Sequence, residues 1–227
     1  MIDKYKAFIF DLDGVVVSTD RCHYEAWKRL ADEEGIYFDE EINQRLRGVS
    51  RMESLEIVLE KSGREYSNEE KILMAERKNG YYRELIKKLD KSAILKGAVE
   101  FIERLKKCGV KTAIGSSSKN ASIILERLEM SELFDVVADG NDIKNSKPAP
   151  DVFLKAGEKL GISPKQCIVV EDADAGVEAA KNAGMDVLAV GAASGNEKAD
   201  YSAKSLADTA LEKLFFCAAE SAGKKAI

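Results

Sequence analysis

Short apolar segments rich in β-forming residues recur along this sequence, and helical patterns separate the later ones. The predicted strands are Ala7–Phe10, Val110–Ile114, Val136–Ala138, Cys167–Val170 and Val187–Val190. The predicted helices between them are Ala98–Lys107, Ala121–Glu129, Asp151–Leu160 and Ala175–Ala183. Strands that alternate with helices of this length form βαβ units. We therefore expect an α/β core with a doubly wound, mostly parallel sheet that helices cover on both faces.

Residues 18–92 interrupt this alternation directly after the first strand. They contain no convincing strand and predict four helices, near residues 20–34, 39–46, 51–62 and 68–89. Ligands bind at the carboxyl ends of the strands in open α/β sheets, so an insert at this point is expected to cover the site as a helical cap. We predict a discontinuous Rossmann-like core of residues 1–17 and 93–221, and a cap domain of residues 18–92.

Composition argues against several classes of protein. The 227 residues carry 35 Lys and Arg against 40 Asp and Glu, and no basic cluster indicates nucleic-acid binding. No apolar stretch approaches the ~18 residues of a membrane span. The four cysteines are scattered and there is one histidine, so we expect free thiols and neither a zinc site nor a disulfide framework. A soluble, cytoplasmic, monomeric protein is the default expectation.

Asp11 and Asp13 follow the first predicted strand, one residue apart and before Gly14. Because side chains alternate along a strand, both carboxylates project to the same side. Two carboxylates about 4 Å apart repel by roughly 4 kcal/mol at an effective dielectric near 20. Such a pair therefore needs a cation or a shared proton, although a simple polar turn explains this segment alone equally well.

Three further polar segments follow later strands. Residues 115–120 (Gly-Ser-Ser-Ser-Lys-Asn) precede a helix and suit a phosphate, with an ordinary serine N-cap as the simpler alternative. Lys147 precedes Pro148, whose fixed φ makes a stiff support, although a solvated turn lysine is the alternative. Glu171 and Asp172 end the fourth strand. With the first two aspartates they make an oxygen-only set that suits Mg²⁺.

This ordered set of strand-end motifs resembles the haloacid dehalogenase superfamily of phosphotransferases, over nearly the whole chain. Several stretches are also similar to its β-phosphoglucomutase-like subfamily. They are residues 10–15, His23 with Trp27, residues 47–51, 116–120 and 147–151, and Glu171 with Asp172.

The resemblance implies a role for each residue at the strand ends. Asp11 would be the nucleophile that accepts a phosphoryl group, and Asp13 the general acid and base. Ser116 and Lys147 would neutralise charge on the phosphoryl oxygens. The implied ligands of a Mg²⁺ cofactor are Asp11, Asp13, Glu171 and Asp172.

The prediction of the substrate and of the particular reaction depends mainly on residues of the cap. Thr19, His23 and Trp27 recur at i, i+4 and i+8 and so share one face of a helix; core packing of Trp27 and a satisfied polar contact of His23 are the alternatives. Surface charge is the alternative for Arg51 and Lys78. The substrate contacts that the resemblance implies are Thr19, His23, Trp27, Gly48, Val49, Ser50, Arg51, Ser54, Lys78, Ser117, Ser118, Lys119 and Asn120.

The resemblance implies a small sugar phosphate as the partner. The reaction would interconvert β-D-glucose 1-phosphate and D-glucose 6-phosphate through an aspartyl phosphate and β-glucose 1,6-bisphosphate. Two alternatives stay open at this point: a sugar-phosphate phosphatase on the same scaffold, and a non-catalytic binding protein that retains the fold.

Overall fold

Six parallel strands form one sheet at the centre of the computed structural model, which describes residues 4–209. The strands are β1 (Ala7–Phe10), β2 (Lys111–Gly115), β3 (Val136–Ala138), β4 (Cys167–Glu171), β5 (Asp186–Ala189) and β6 (Tyr201–Ser202). Their spatial order is β3-β2-β1-β4-β5-β6, and all the neighbouring pairs run parallel. The order reverses beside β1, so the strand that carries the aspartates lies at the point where ligands bind in such sheets.

The sequence of β1 explains its central place. All four of its side chains are buried, as expected for a parallel strand that is covered on both faces. Phe8 and Phe10 face a cluster that contains Phe101, whereas Ile9 faces a second cluster that contains Phe153. Alternation along one strand thus divides the core into two apolar layers.

Four helices pack on the two faces of the sheet and complete these apolar layers. Helices α5 (Ala98–Lys107) and α6 (Ala121–Arg127) pack on the first face. Helices α7 (Asp151–Leu160) and α8 (Asp174–Asn182) pack on the second. The expected doubly wound α/β core is therefore confirmed.

The inserted segment forms the expected helical cap. Its helices are α1 (Asp20–Glu34), α2 (Glu40–Gln44), α3 (Arg51–Leu59) and α4 (Asn68–Ile86). Capping boxes begin α3 at Ser50 and α4 at Ser67, and the cap has an apolar cluster of its own, which includes Trp27. Two hydrogen bonds tie the linkers together, from the Ser18 amide to the Ala93 carbonyl and from the Leu95 amide to the Val16 carbonyl.

Several expectations need correction or stay open. Helix α2 ends at Gln44, α3 at Leu59 and α4 at Ile86, all short of the predicted ends. Cys22 and Cys167 are free thiols, but Cys108 is disulfide-bonded, so the expectation of free thiols is wrong for that residue. Residues 210–221 of the predicted core lie outside the described residues. The domain boundaries, the monomeric state and the cytoplasmic location stay predictions. Among residues 4–209, every helix is too short or too polar to cross a membrane.

Candidate active site

Lys147 joins two carboxylates at the carboxyl edge of the sheet. Its Nζ lies 2.5 Å from Asp11 Oδ1, just beyond β1, and also forms an ion pair with Glu171 Oε1 at the end of β4. All three side chains are buried. Burial acts to lower the pKa of Lys147, but the two carboxylates outweigh it and hold that pKa above its ordinary value. The lysine is therefore a fixed cation beside the predicted nucleophile.

Glu171 is held entirely by protein donors. Its Oε1 accepts from Lys147, and its Oε2 accepts from the backbone amides of Asp172 and Ala173 at 2.9 and 3.0 Å. Helix α8 passes so close that a Cβ added to Gly176 would overlap the Glu171 carboxylate. Glu171 thus fixes both Lys147 and the backbone that presents Asp172.

Asp172 is the carboxylate of this edge that has no hydrogen-bond or ion-pair partner among residues 4–209. It packs over Gly14, which has a φ of +83° and leaves no room for a Cβ beside that carboxylate. Burial, followed by the negative charges of Asp11 and Glu171, raises the pKa of Asp172 to about 8. No hydrogen bond to its side chain comes from residues 4–209. The excess negative charge at this place fits a divalent cation with oxygen ligands.

The described part of the chain does not hold three acidic, histidine or cysteine side chains already gathered around one metal-sized position. Lys147 instead lies between Asp11 and Glu171. Asp11 and Asp172 are therefore the side chains with oxygen atoms to offer to a cation, whereas the oxygens of Glu171 are already engaged.

Asp13 is held at the base of the cap. Thr19 Oγ1 donates a hydrogen bond to Asp13 Oδ1, and the Tyr82 hydroxyl donates to Thr19 Oγ1 at 3.0 Å. Burial raises the pKa of Asp13 to about 7; the Thr19 hydrogen bond opposes that shift, and the charge on Asp11 adds to it. A carboxyl group that titrates near neutral pH can both donate and accept a proton there.

A buried lysine and a half-buried arginine face the cavity from the cap. Lys78 Nζ lies 3.0 Å from His23 Nδ1 and 4.6 and 4.9 Å from the ring centroids of Trp27 and Tyr82. Burial and then the charge of Arg51 lower the pKa of Lys78 to about 7. Burial, Lys78 and Arg51 hold the pKa of His23 well below its ordinary value, so the imidazole is neutral.

The loop after β2 engages two of its three serines internally. The Ser116 hydroxyl accepts from the Ser118 amide, and the Ser118 hydroxyl accepts from the Asn120 amide, both at 3.2 Å. Asn120 precedes α6 without a side-chain capping bond, so the serines do not act as the ordinary N-cap. The Ser117 hydroxyl is buried and has no hydrogen-bond partner among the residues described.

A cavity of about 1000 Å³ lies between the cap and the core and brings these groups together. All the sequence-predicted site residues line it except Thr19, which contacts Asp13 directly. Tyr82 and Asn79 also line the cavity, although sequence reasoning missed both. Spacing on α4 could have indicated Tyr82, which lies four residues after Lys78 and so on the same face, but it could not have indicated Asn79 or the contacts that either residue makes.

An acidic sheet edge with a fixed lysine under a helical cap is the site of a haloacid dehalogenase-type phosphotransferase or hydrolase. The chain belongs to this family: the model for haloacid dehalogenase-like hydrolases matches residues 8–190. It is therefore an enzyme, and membership of this superfamily implies catalysis that generally depends on Mg²⁺.

The similarity extends to individual proteins. The chain is 42% identical to beta-phosphoglucomutase of Bacillus subtilis, over 92% of this chain and 93% of that protein. It is 34% identical to a phosphorylated carbohydrates phosphatase of Thermotoga maritima, over 80% of this chain and 82% of that protein. The crystal structure of beta-phosphoglucomutase from Clostridium difficile superposes with a TM-score of 0.86 at 40% identity, covering 92% of this chain and 95% of that chain. The subfamily resemblance is thereby confirmed.

Proposed function

We propose that this protein is a Mg²⁺-dependent phosphomutase. It would interconvert β-D-glucose 1-phosphate and D-glucose 6-phosphate through β-glucose 1,6-bisphosphate. The similarity to the Bacillus subtilis enzyme supports this substrate, but the main support comes from the charges on the two sides of the cavity.

The observation that carries the proposal is a pair of basic side chains on the cap side of the cavity. Lys78 and Arg51 line the cavity, and neither has a carboxylate within ion-pair distance among residues 4–209. Desolvated cations without counter-ions are costly, so an anionic ligand group would relieve both. A phosphatase needs one phosphate position, at Lys147. A mutase that passes through a bisphosphate needs two.

The chemistry at the core then follows from Asp11 and Asp13. An oxygen of the Asp11 carboxylate attacks phosphorus, the bond from phosphorus to the sugar oxygen breaks, and Asp13 gives its proton to that oxygen. In the reverse sense, Asp13 removes the proton of the incoming sugar hydroxyl, which attacks the aspartyl phosphate. Lys147 and the Ser116 hydroxyl offset the negative charge of the phosphoryl oxygens.

Asp11, the Asp13 carbonyl and Asp172 are the proposed holders of Mg²⁺, with Glu171 in support. When bound, the cation neutralises carboxylate and phosphate charge, so that an anionic nucleophile can approach an anionic phosphoryl group. The cap residues, by contrast, orient the sugar and exclude water while the aspartyl phosphate exists.

The fate of the phosphoryl group tests this proposal. The purified protein is incubated with Mg²⁺, β-glucose 1-phosphate and a trace of β-glucose 1,6-bisphosphate, and both products are quantified. We expect glucose 6-phosphate to form with little inorganic phosphate. Release of inorganic phosphate without glucose 6-phosphate would contradict the mutase and indicate the sugar-phosphate phosphatase. If neither product forms, the non-catalytic alternative is favoured.

A further inference from the structure

A side-chain hydrogen bond connects the cap to the core at a distance from the two linkers. Asn120 Nδ2, on the core, donates to Asn79 Oδ1, on α4 of the cap, at 3.0 Å. Both residues line the cavity, and Asn120 is buried. Within residues 4–209 no other side-chain hydrogen bond joins the four cap helices to the core, apart from the Thr19–Asp13 contact at the linker.

The position of Asn79 on α4 distinguishes it from its neighbour. Lys78 lines the cavity and contacts His23 within the cap, whereas the side chain of Asn79 reaches across to the core. An asparagine amide has two donors and two acceptor sites. After the pairing, Asn79 Nδ2 and Asn120 Oδ1 still have no partner among the described residues. A ligand in the cavity can therefore bind the pair without breaking it.

The cap is in contact with the core in this arrangement. A Cβ added to Gly48, in the cap loop before α3, would lie 3.1 Å from the Ala173 Cβ beside Asp172. The Asn79–Asn120 bond holds the α4 side of the cap, and the Gly48 loop closes the side above the acidic cluster. Separation of the asparagine pair would open the cavity to water at the nucleophile.

We propose that Asn79 is a positioning residue that acts through Asn120 to keep the cap closed over the phosphorylated enzyme. Closure of the cap does not depend on the proposed function; only the effect of closure on hydrolysis rests on it. When the cap is open, a water oxygen attacks phosphorus, the bond from Asp11 to phosphorus breaks, and inorganic phosphate leaves while the water proton passes to Asp13. Asn79 thus favours transfer to sugar over hydrolysis.

Two readouts test the proposal in Asn79→Ala. Without ligand, hydrogen exchange of the backbone amides of residues 47–51 reports on cap opening. With β-glucose 1-phosphate and the bisphosphate, the ratio of inorganic phosphate to glucose 6-phosphate reports on hydrolysis. We expect both to rise about fivefold, since a net hydrogen bond changes an equilibrium by roughly that factor. Asn68→Ala makes the same change at an exposed position of α4 and is expected to alter neither readout.

A double-mutant cycle separates coupling from two independent losses. If the pair acts together, Asn120→Ala added to Asn79→Ala increases amide exchange less than the product of the single effects. Exchange in Asn79→Ala equal to that in Asn68→Ala would overturn the proposal, as would strictly multiplicative effects. Because amide exchange needs no turnover, it decides the role of Asn79 even if the phosphomutase activity is absent.

Discussion

Lys78 lies buried in the cap among Trp27, Tyr82 and His23, and no carboxylate of the described chain is within ion-pair distance. Burial is the main cause of its low pKa, and the charge of Arg51 adds to it, whereas Asp13 and Cys22 act weakly in the opposite direction. A lysine with a pKa of about 7 in the folded protein binds fewer protons than in the unfolded chain between about pH 7 and its ordinary pKa.

Replacement of Lys78 by methionine is therefore expected to stabilise the protein at neutral pH. The wild type gains stability as pH rises from 7, because the unfolded chain is the more protonated state there. The advantage of Lys78→Met should shrink by up to about 1.4 kcal/mol per pH unit. Urea denaturation between pH 6.5 and 9 measures this trend. Lys88→Met, at an exposed site, is the control, and a pH-independent difference would contradict the argument.

Asp11 can be tested by an isosteric change. Asp11→Asn keeps the shape of the side chain beside Lys147 but replaces the negatively charged, nucleophilic carboxylate by a neutral amide. We expect turnover to fall by at least about 10⁴-fold, the scale seen when a catalytic nucleophile is lost, while circular dichroism stays unchanged. Intact-mass spectrometry after rapid quenching should detect a phosphate adduct on the wild type and none on the variant. A phosphate adduct on the variant would show that another residue is the nucleophile.

At the scale of helices and strands, short sequence patterns predicted the elements whose formation depends on residues close together in the chain. The apolar run of β1 and the capping boxes of α3 and α4 form as their sequences indicate. Strand β6 has two residues, too few for any periodicity to mark it. The contacts of Tyr82 with Thr19 and of Asn79 with Asn120 depend on how α4 packs against α1 and the core, and no local pattern contains that rotation.

Helix α8 illustrates how an element without catalytic side chains controls the site. Its first turn places Gly176 against the Glu171 carboxylate, where a Cβ cannot fit. We expect Gly176→Ala to displace Glu171 and, with it, Lys147. The result should be a loss of about 100-fold or more in kcat, because the charge on the phosphoryl oxygens is no longer offset. Steady-state kinetics with β-glucose 1-phosphate measures the effect.

Gly80 provides the matched control in a different helix. It lies inside α4, and a Cβ added there meets no atom within 4 Å. Gly80→Ala should therefore stabilise the protein by about 0.5–1 kcal/mol through helix propensity alone and leave kcat unchanged. Equal kinetics for the two alanine variants would show that α8 does not hold Glu171 in place.

At the scale of the whole molecule, opposite charges lie on the two bodies that enclose the cavity. The core supplies Asp11 and Glu171, which pair with Lys147, and Asp172 beside them. The cap supplies Lys78 and Arg51, which have no carboxylate within ion-pair distance among residues 4–209. The doubly phosphorylated sugar of the proposed reaction carries an anion at each end and would complement both charges once a cation compensates the core. A cation held at the acidic edge as proposed would offset the repulsion among these carboxylates and so stabilise the folded protein.

Magnesium is therefore expected to raise the melting temperature of the protein without any substrate. Binding at 100 times the dissociation constant stabilises a folded state by about 2.7 kcal/mol, which corresponds to roughly 5–10 °C for a chain of this size. Asp172→Asn should abolish the shift and, without metal at neutral pH, melt above the wild type, because folding no longer disfavours the ionisation of a carboxyl group whose pKa it raises to about 8. Asp174→Asn, at an exposed position two residues on, should keep the shift. Differential scanning calorimetry with Mg²⁺ or EDTA distinguishes these cases, and an equal shift in both variants would place the cation away from Asp172.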